Sequence, residues 1–477
     1  MSKYKRLGKN TFLVFLGNLG SKFIGFLMIP FYTKWLSVEE YGTSDTILIY
    51  VSLLLTIFTL SISDSIFIFP KDQNIDKQKR YFSSGLFYSV MLLILTGFGL
   101  FCFKEILNTF NTFENIVSNI GYIYLLIVAF FFQNFFQQFA QSIDQIKVYA
   151  TSGIILTFLT AFFAFILIPK YKIDGFFIAQ ILSLFITTIY SMFASGSFSF
   201  LSLKKIKFSS YSEMIKYSFP LIPNAVMWWL VGSLNRPLME HYLGMHAIGI
   251  FAVANKLPSL INVLFSVFMV SWQISAVEEF KKQEYEIFYN SIFKIVFIVL
   301  VFSVIVFSCF SKPLIEFIAD AKFNEAQKYI PILCFSVLLS SISSFIGVNF
   351  LAGRESKYFF YSSIWGAIIA VAFNLILIPV WGLYGVVFAI VLSHLAIVIS
   401  RIKYSWKTVK ITNIFFYFTL LSISLITVLS VTFIENTVNL ILLLSAVSFL
   451  FIFLIKKDIL LGAELLKRIL KRQNQKS

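Results

Sequence analysis

The residues able to do chemistry in this chain are polar side chains set within long apolar runs. Three cations, Lys22, Arg236 and Lys256, stand inside or at the edge of such runs, and Asp64 is the one acid clearly within one. An ionisable group at bilayer depth costs about 2.5–3.5 kcal/mol on insertion scales, so it turns toward a cavity or a partner. Asn18 and Lys22 are four residues apart and share a helix face with Gly25. Lys22 lies about twelve residues into its run, too deep to snorkel easily. Two readings stay open for it: a cavity-lining cation, or a structural partner of Asp64. Asp64 in turn is a candidate for that pairing or for ion coupling. Asn224, Trp228 and Asn235 recur at spacings of four and seven just before Arg236, and Pro220, Pro223 and Pro237 predict a bend there. Asn255, Ser259, Asn262 and Ser266 follow i, i+4, i+7, i+11 beside Lys256, which reads as a wet helix face or as interhelical hydrogen bonding. If these stripes converge they form a cationic midplane cavity. Anions, phosphates above all, suit such a site, because attraction in low dielectric far exceeds that in water.

Other chemistries find no support. His241, His246 and His394 make no HExxH or other metal pattern, and Cys102, Cys309 and Cys334 have no metal spacing. There is no GxxxxGK[ST] phosphate loop. Loops of about 15–20 residues are too short for a catalytic domain. The expectation is therefore a chain with no catalytic residue, no metal and no resident cofactor, with a coupling ion, H+ or Na+, left open.

Elements that position such residues must be membrane helices. Of 477 residues, 58% are hydrophobic and 13% charged, against about 25% charged in soluble domains. That excludes a soluble enzyme and predicts an all-α polytopic membrane protein. Hydropathy predicts fourteen spans, at about 11–31, 45–69, 82–103, 117–138, 148–168, 174–195, 213–236, 247–275, 288–311, 327–350, 359–379, 383–401, 411–433 and 437–455. Of the 39 basic residues, 28 fall on the side that carries both termini and eight on the other. By the positive-inside rule both termini are then cytoplasmic. The net charge of +16 is thereby a membrane-topology signal, and no nucleic-acid partner is expected.

The chain also repeats itself. Leu-Ile-Pro at 167–169 returns at 377–379, and at the same offset of 210 Lys147 meets Lys357, Ser152 meets Ser362, Gly175 meets Gly385, and Ser183 meets Ser393. Near the start of each half, at offset 207, Pro30 meets Pro237 and Gly42 meets Gly249. Six spans per half make the copies parallel repeats, with a site expected between them. The domains are accordingly an N-terminal six-helix lobe (1–205), a C-terminal six-helix lobe (206–405), two extra helices (406–457) and a basic cytoplasmic tail (458–477).

Several segments carry a family resemblance. Pro220-Leu-Ile-Pro-Asn224 with Trp228-Trp229 and Asn235-Arg236, then Gly249 to Pro258, resembles the seventh and eighth helices of polysaccharide (O-antigen type) flippases. Gly25 to Pro30, Leu36 to Gly42, and Asn374 to Pro379 with Gly382 and Gly385 add to it, and the likeness runs over about residues 8–405. These proteins belong to the multidrug/oligosaccharidyl-lipid/polysaccharide exporter superfamily. The resemblance implies a MATE-like fold in a bacterial inner membrane. It implies translocation of a polyprenyl-diphosphate-linked oligosaccharide from the cytoplasmic to the outer leaflet, with membrane lipids and the polymerase and glycosyltransferases of the pathway as partners. Lys22, Arg236 and Lys256 would then contact the diphosphate or acidic sugars, and Asn18, Asn224, Asn255, Asn262 and Trp228 the sugars. Two departures stand out: the family often has Asp-Arg where this chain has Asn235-Arg236, and often Arg where Ile68 stands. The rival functions are a cation-coupled multidrug exporter of the same fold and a non-transporting scaffold of a glycan-assembly complex.

Overall fold

A capping box starts the first well-packed span. Ser37 Oγ accepts from the Glu40 amide (3.1 Å) while Glu40 Oε2 accepts from the Ser37 amide (2.7 Å). Helix formation therefore begins at Val38, two turns before the boundary that hydropathy suggests. The computed structural model describes residues 24–108, 114–406, 408–434, 442, 445–451 and 454. Asn18, Lys22 and most of the first and last expected spans lie outside them.

The described elements are helical: α1 (Ile29–Trp35), α2 (Val38–Phe58), α3 (Ile62–Ile68), α4 (Ile75–Asn108), α5 (Ile120–Ser142), α6 (Ile146–Ala194), α7 (Phe208–Ser218), α8 (Leu221–Gly232), α9 (Asn235–Ala254), α10 (Lys256–Glu279), α11 (Tyr285–Cys309), α12 (Ile330–Ala352), α13 (Ser356–Trp381), α14 (Leu383–Ser405) and α15 (Ile414–Phe433), with a few shorter turns between. Ten described helices are long and apolar enough to cross a membrane, which makes this an all-α, multi-pass membrane protein. α6, at 49 residues, carries two expected spans, with the chain turning at Lys172 (φ 51°, ψ −127°). The expected span 45–69 is interrupted where Leu60 and Ser61 take positive φ. The expected bend before Arg236 is present as two breaks, at Pro220 and at Ser233–Leu234. Proline has no N–H to continue a helix, which accounts for the first.

The residues pack into two units: one of 24–256, 315–326 and 363–393, the other of 257–314, 327–362 and 394 onward. Small residues decide the closest approach in the first. A Cβ on Gly42 of α2 would run into the Met245 carbonyl oxygen, and one on Gly249 of α9 into that of Val38. These two glycines, counterparts in the sequence repeat, thus face each other where α2 and α9 cross. Phe82 of α4 and Phe131, Phe135 and Phe139 of α5 are fully buried in the same unit. In the second unit α12 is almost wholly buried, and Phe345 stacks on Trp272 at 4.3 Å. Tyr285 donates to Asn349 Oδ1 at 2.6 Å.

The repeat is written into the backbone as well as the sequence. Asp144 (φ 64°) and Arg354 (φ 57°) are 210 apart, as are Lys172 (φ 51°) and Gly382 (φ 56°). A Cβ on Gly175 would meet the Leu167 carbonyl, and one on Gly385 that of Leu377. One exchange stands out against this sameness. In the first copy Gln137 donates to Ser152 Oγ (2.9 Å). In the second, Gly347 takes the place of Gln137, and the donor to Ser362 Oγ (3.0 Å) is Arg401, whose counterpart is Ser191. A Cβ on Gly347 would lie 2.8 Å from Arg401 Nη1, so the missing side chain makes room for the guanidinium. Arg401 is fully buried.

Candidate functional site

Arg236 is the second residue of α9, held where the chain restarts after the Ser233–Leu234 break. The residue is buried. Nε donates to Asp45 Oδ2 at 3.2 Å, and Nη1 donates to the Gly232 carbonyl (3.0 Å) and to Asn235 Oδ1 (2.9 Å). The guanidinium carbon sits 4.7 Å over the Phe251 ring, a cation–π contact strengthened by loss of water. Asp45 comes from α2, two turns past its start. The Gly42–Gly249 crossing is what brings the two helices near enough for this pair to form.

Lys256, at the α9–α10 junction, places its ammonium 6.0 Å from the Tyr41 ring centroid, and Asp45 and Arg236 act on it electrostatically. Asp45, Arg236 and Lys256 together carry a net charge of +1. One turn beyond Arg236, Glu240 accepts from Tyr50 Oη (2.8 Å) and from Asn115 Nδ2 (3.1 Å). Burial raises the Glu240 carboxyl above its ordinary value, against the pull of those two hydrogen bonds. The arrangement fastens α2 to α9 with an ion pair and a carboxylate clamp, and it sets Lys256 beside Tyr41.

Of the residues expected from sequence, Arg236 and Lys256 are brought together. Asn235 is buried with Arg236, so it supplies a hydrogen bond where the family often has an acid, and Asp45 supplies the acid from another helix. Asp64 is exposed on α3, apart from this cluster. Asn224, Trp228 and Asn262 are exposed and Asn255 is half-buried. Asp45, Tyr41 and Glu240 were not among the expected site residues. The signal for Asp45 was the Ser37-Val-Glu-Glu40 capping box, which places it inside a helix, not at a span edge. No group of three or more His, Cys, Asp or Glu side chains is arranged to hold a metal among the described residues.

This fold is shared with solved structures of a flippase and a transporter. A structure of the lipid II flippase MurJ in an inward closed conformation superposes with a TM-score of 0.67 at 16% identity, covering 94% of this chain and 99% of that one. An inward-facing multidrug resistance MATE family transporter superposes with a TM-score of 0.61 at 14% identity, covering 83% and 94%. The likeness is one of fold. The chain belongs to the polysaccharide biosynthesis protein family, whose sequence profile matches residues 7–272. Among curated relatives, the "Lsg locus putative protein 1" of Haemophilus influenzae is 23% identical over 265 residues, 54% of this chain and 62% of that protein. An uncharacterized membrane protein of Methanocaldococcus jannaschii is 23% identical over 410 residues, 82% and 96% of the two chains.

Proposed function

We propose that this protein flips a polyprenyl-diphosphate-linked oligosaccharide, an O-antigen or capsule repeat unit, from the cytoplasmic to the outer leaflet of a bacterial inner membrane by alternating access. The observation that carries the reading is the family match over residues 7–272. The net positive cluster of Asp45, Arg236 and Lys256 supports it, since diphosphate is the part of such a substrate most costly to strip of water. Lys256 and Lys22 contact the diphosphate, while Arg236, tied to Asp45, holds the cluster in place. Asn18, Asn224, Asn255, Asn262 and Trp228 meet the sugars. Asp64 or Asp45 serves a coupling ion, H+ or Na+. Both termini are cytoplasmic, and the polymerase and glycosyltransferases of the pathway are its partners.

The test is flipping of a lipid-linked oligosaccharide by purified protein in liposomes, read by protection of the glycan from an external lectin. Wild type is expected to move the glycan, and Lys22→Ala with Lys256→Ala, which removes two charge-assisted contacts, to slow it by at least about tenfold. Gradient-driven export of organic cations without glycan flipping would replace this reading with multidrug export. Intact polymer assembly in cells with a transport-dead variant would replace it with a scaffold.

A further inference from the structure

The second unit holds a groove that shares no residue with the proposed transport site. At the first turns of α11 and α15 a cavity of about 460 Å³ is lined by Gln283, Glu286, Asn290, Lys294, Thr412 and Tyr417, among others. An apolar cavity of about 200 Å³ is lined by Phe293, Phe297, Ile402, Trp406, Phe418 and Leu421, among others, and Tyr417 lines both. Asn290 builds the polar wall. Its Nδ2 donates to the Lys410 carbonyl (3.0 Å), and its Oδ1 accepts from the Thr412 amide (2.9 Å) and hydroxyl (3.1 Å). Glu286, Asn290 and Lys294 recur every four residues and so share one face of α11. The Lys294 ammonium lies 5.1 Å from the Phe416 ring centroid.

Polarity therefore falls along the groove in a fixed order. A carboxylate stands at the helix end, an ammonium about 12 Å further along the axis at about 1.5 Å per residue, and aromatic and branched side chains fill the adjoining cavity. A zwitterionic phospholipid has the complementary order: a terminal ammonium in water, a phosphate below it and an acyl chain in hydrocarbon. Lys281, Lys282, Lys403 and Lys410 flank these helix ends in sequence, as basic side chains do at a headgroup layer.

We propose that this groove seats a resident aminophospholipid, with its phosphate on Lys294, its ammonium on Glu286 and one acyl chain in the apolar cavity. Native mass spectrometry of the full-length protein, titrated with phosphatidylethanolamine and phosphatidylglycerol, tests this. Wild type is expected to retain the ethanolamine lipid in preference. Glu286→Gln should erase that preference, Lys294→Ala should weaken both lipids about tenfold through loss of a charge-assisted contact, and Leu421→Trp should weaken both by filling the chain cavity. Soluble glycerophosphoethanolamine should not compete. Equal binding of the two lipids by wild type would overturn the proposal. So would retention unchanged by both Lys294→Ala and Leu421→Trp, competition by the soluble headgroup, or cross-linking of residues 458–477 into the groove in place of lipid.

Discussion

Replacing Asp45 by asparagine should strand Arg236 as a buried cation. The pair is 3.2 Å apart, and the Arg236 and Asp45 side chains keep 7% and 20% of their surface. At that distance and an effective dielectric of about 20, the Coulomb attraction is about 5 kcal/mol, part of which desolvation offsets. Removing one partner of such a pair costs about 3 kcal/mol, and the introduced amide retains an oxygen that can accept from Nε. A double-mutant cycle separates the terms. Asp45→Asn, Arg236→Met and the double variant would be compared by equilibrium unfolding in mixed micelles, the expected coupling being about 2 kcal/mol. Lys256→Met added to Asp45→Asn should recover part of the loss, because Asp45 also acts on Lys256. Strictly additive single effects, or no recovery with Lys256→Met, would refute the account of Asp45 as the counter-charge of this cluster.

Two further outcomes follow from packing. Gly249→Ala places a methyl against the Val38 carbonyl and should destabilise by about 1–3 kcal/mol, whereas Gly121→Ala, with open space around it, should be neutral; thermal unfolding of both in detergent reads the difference. Gly347→Gln alone should destabilise by a similar amount, about 1–3 kcal/mol, by crowding Arg401. Gly347→Gln with Arg401→Ser transplants the first repeat's arrangement and should regain most of the loss; a double variant no better than the single would show that the exchange between repeats is not a compensated one.

The prolines show why part of the design was legible. Pro220 announces a break because its ring and missing N–H act on its own turn. Leu-Ile-Pro at 167–169 and 377–379 announces a repeat because duplication copies local geometry, down to the positive φ at Lys172 and Gly382. The span edges at 45, 69 and 247 were less visible. Hydropathy averages over a window and passes through a left-handed turn such as Leu60–Ser61 without a signal.

Sequence alone determined that this chain crosses a membrane many times, that it is built twice over, and that Arg236 and Lys256 belong to one polar theme. Each of these rests on local composition or on comparison of the chain with itself. Only the tertiary structure decided what those cations face. Asp45 and Arg236 are 191 residues apart, and nothing in either neighbourhood names the other. Their pairing depends on two glycines that let α2 and α9 touch, as the burial of Arg401 depends on the absent side chain of Gly347. A contact allowed by a missing Cβ leaves no charge or periodicity in the sequence, because what selects it is the space between helices.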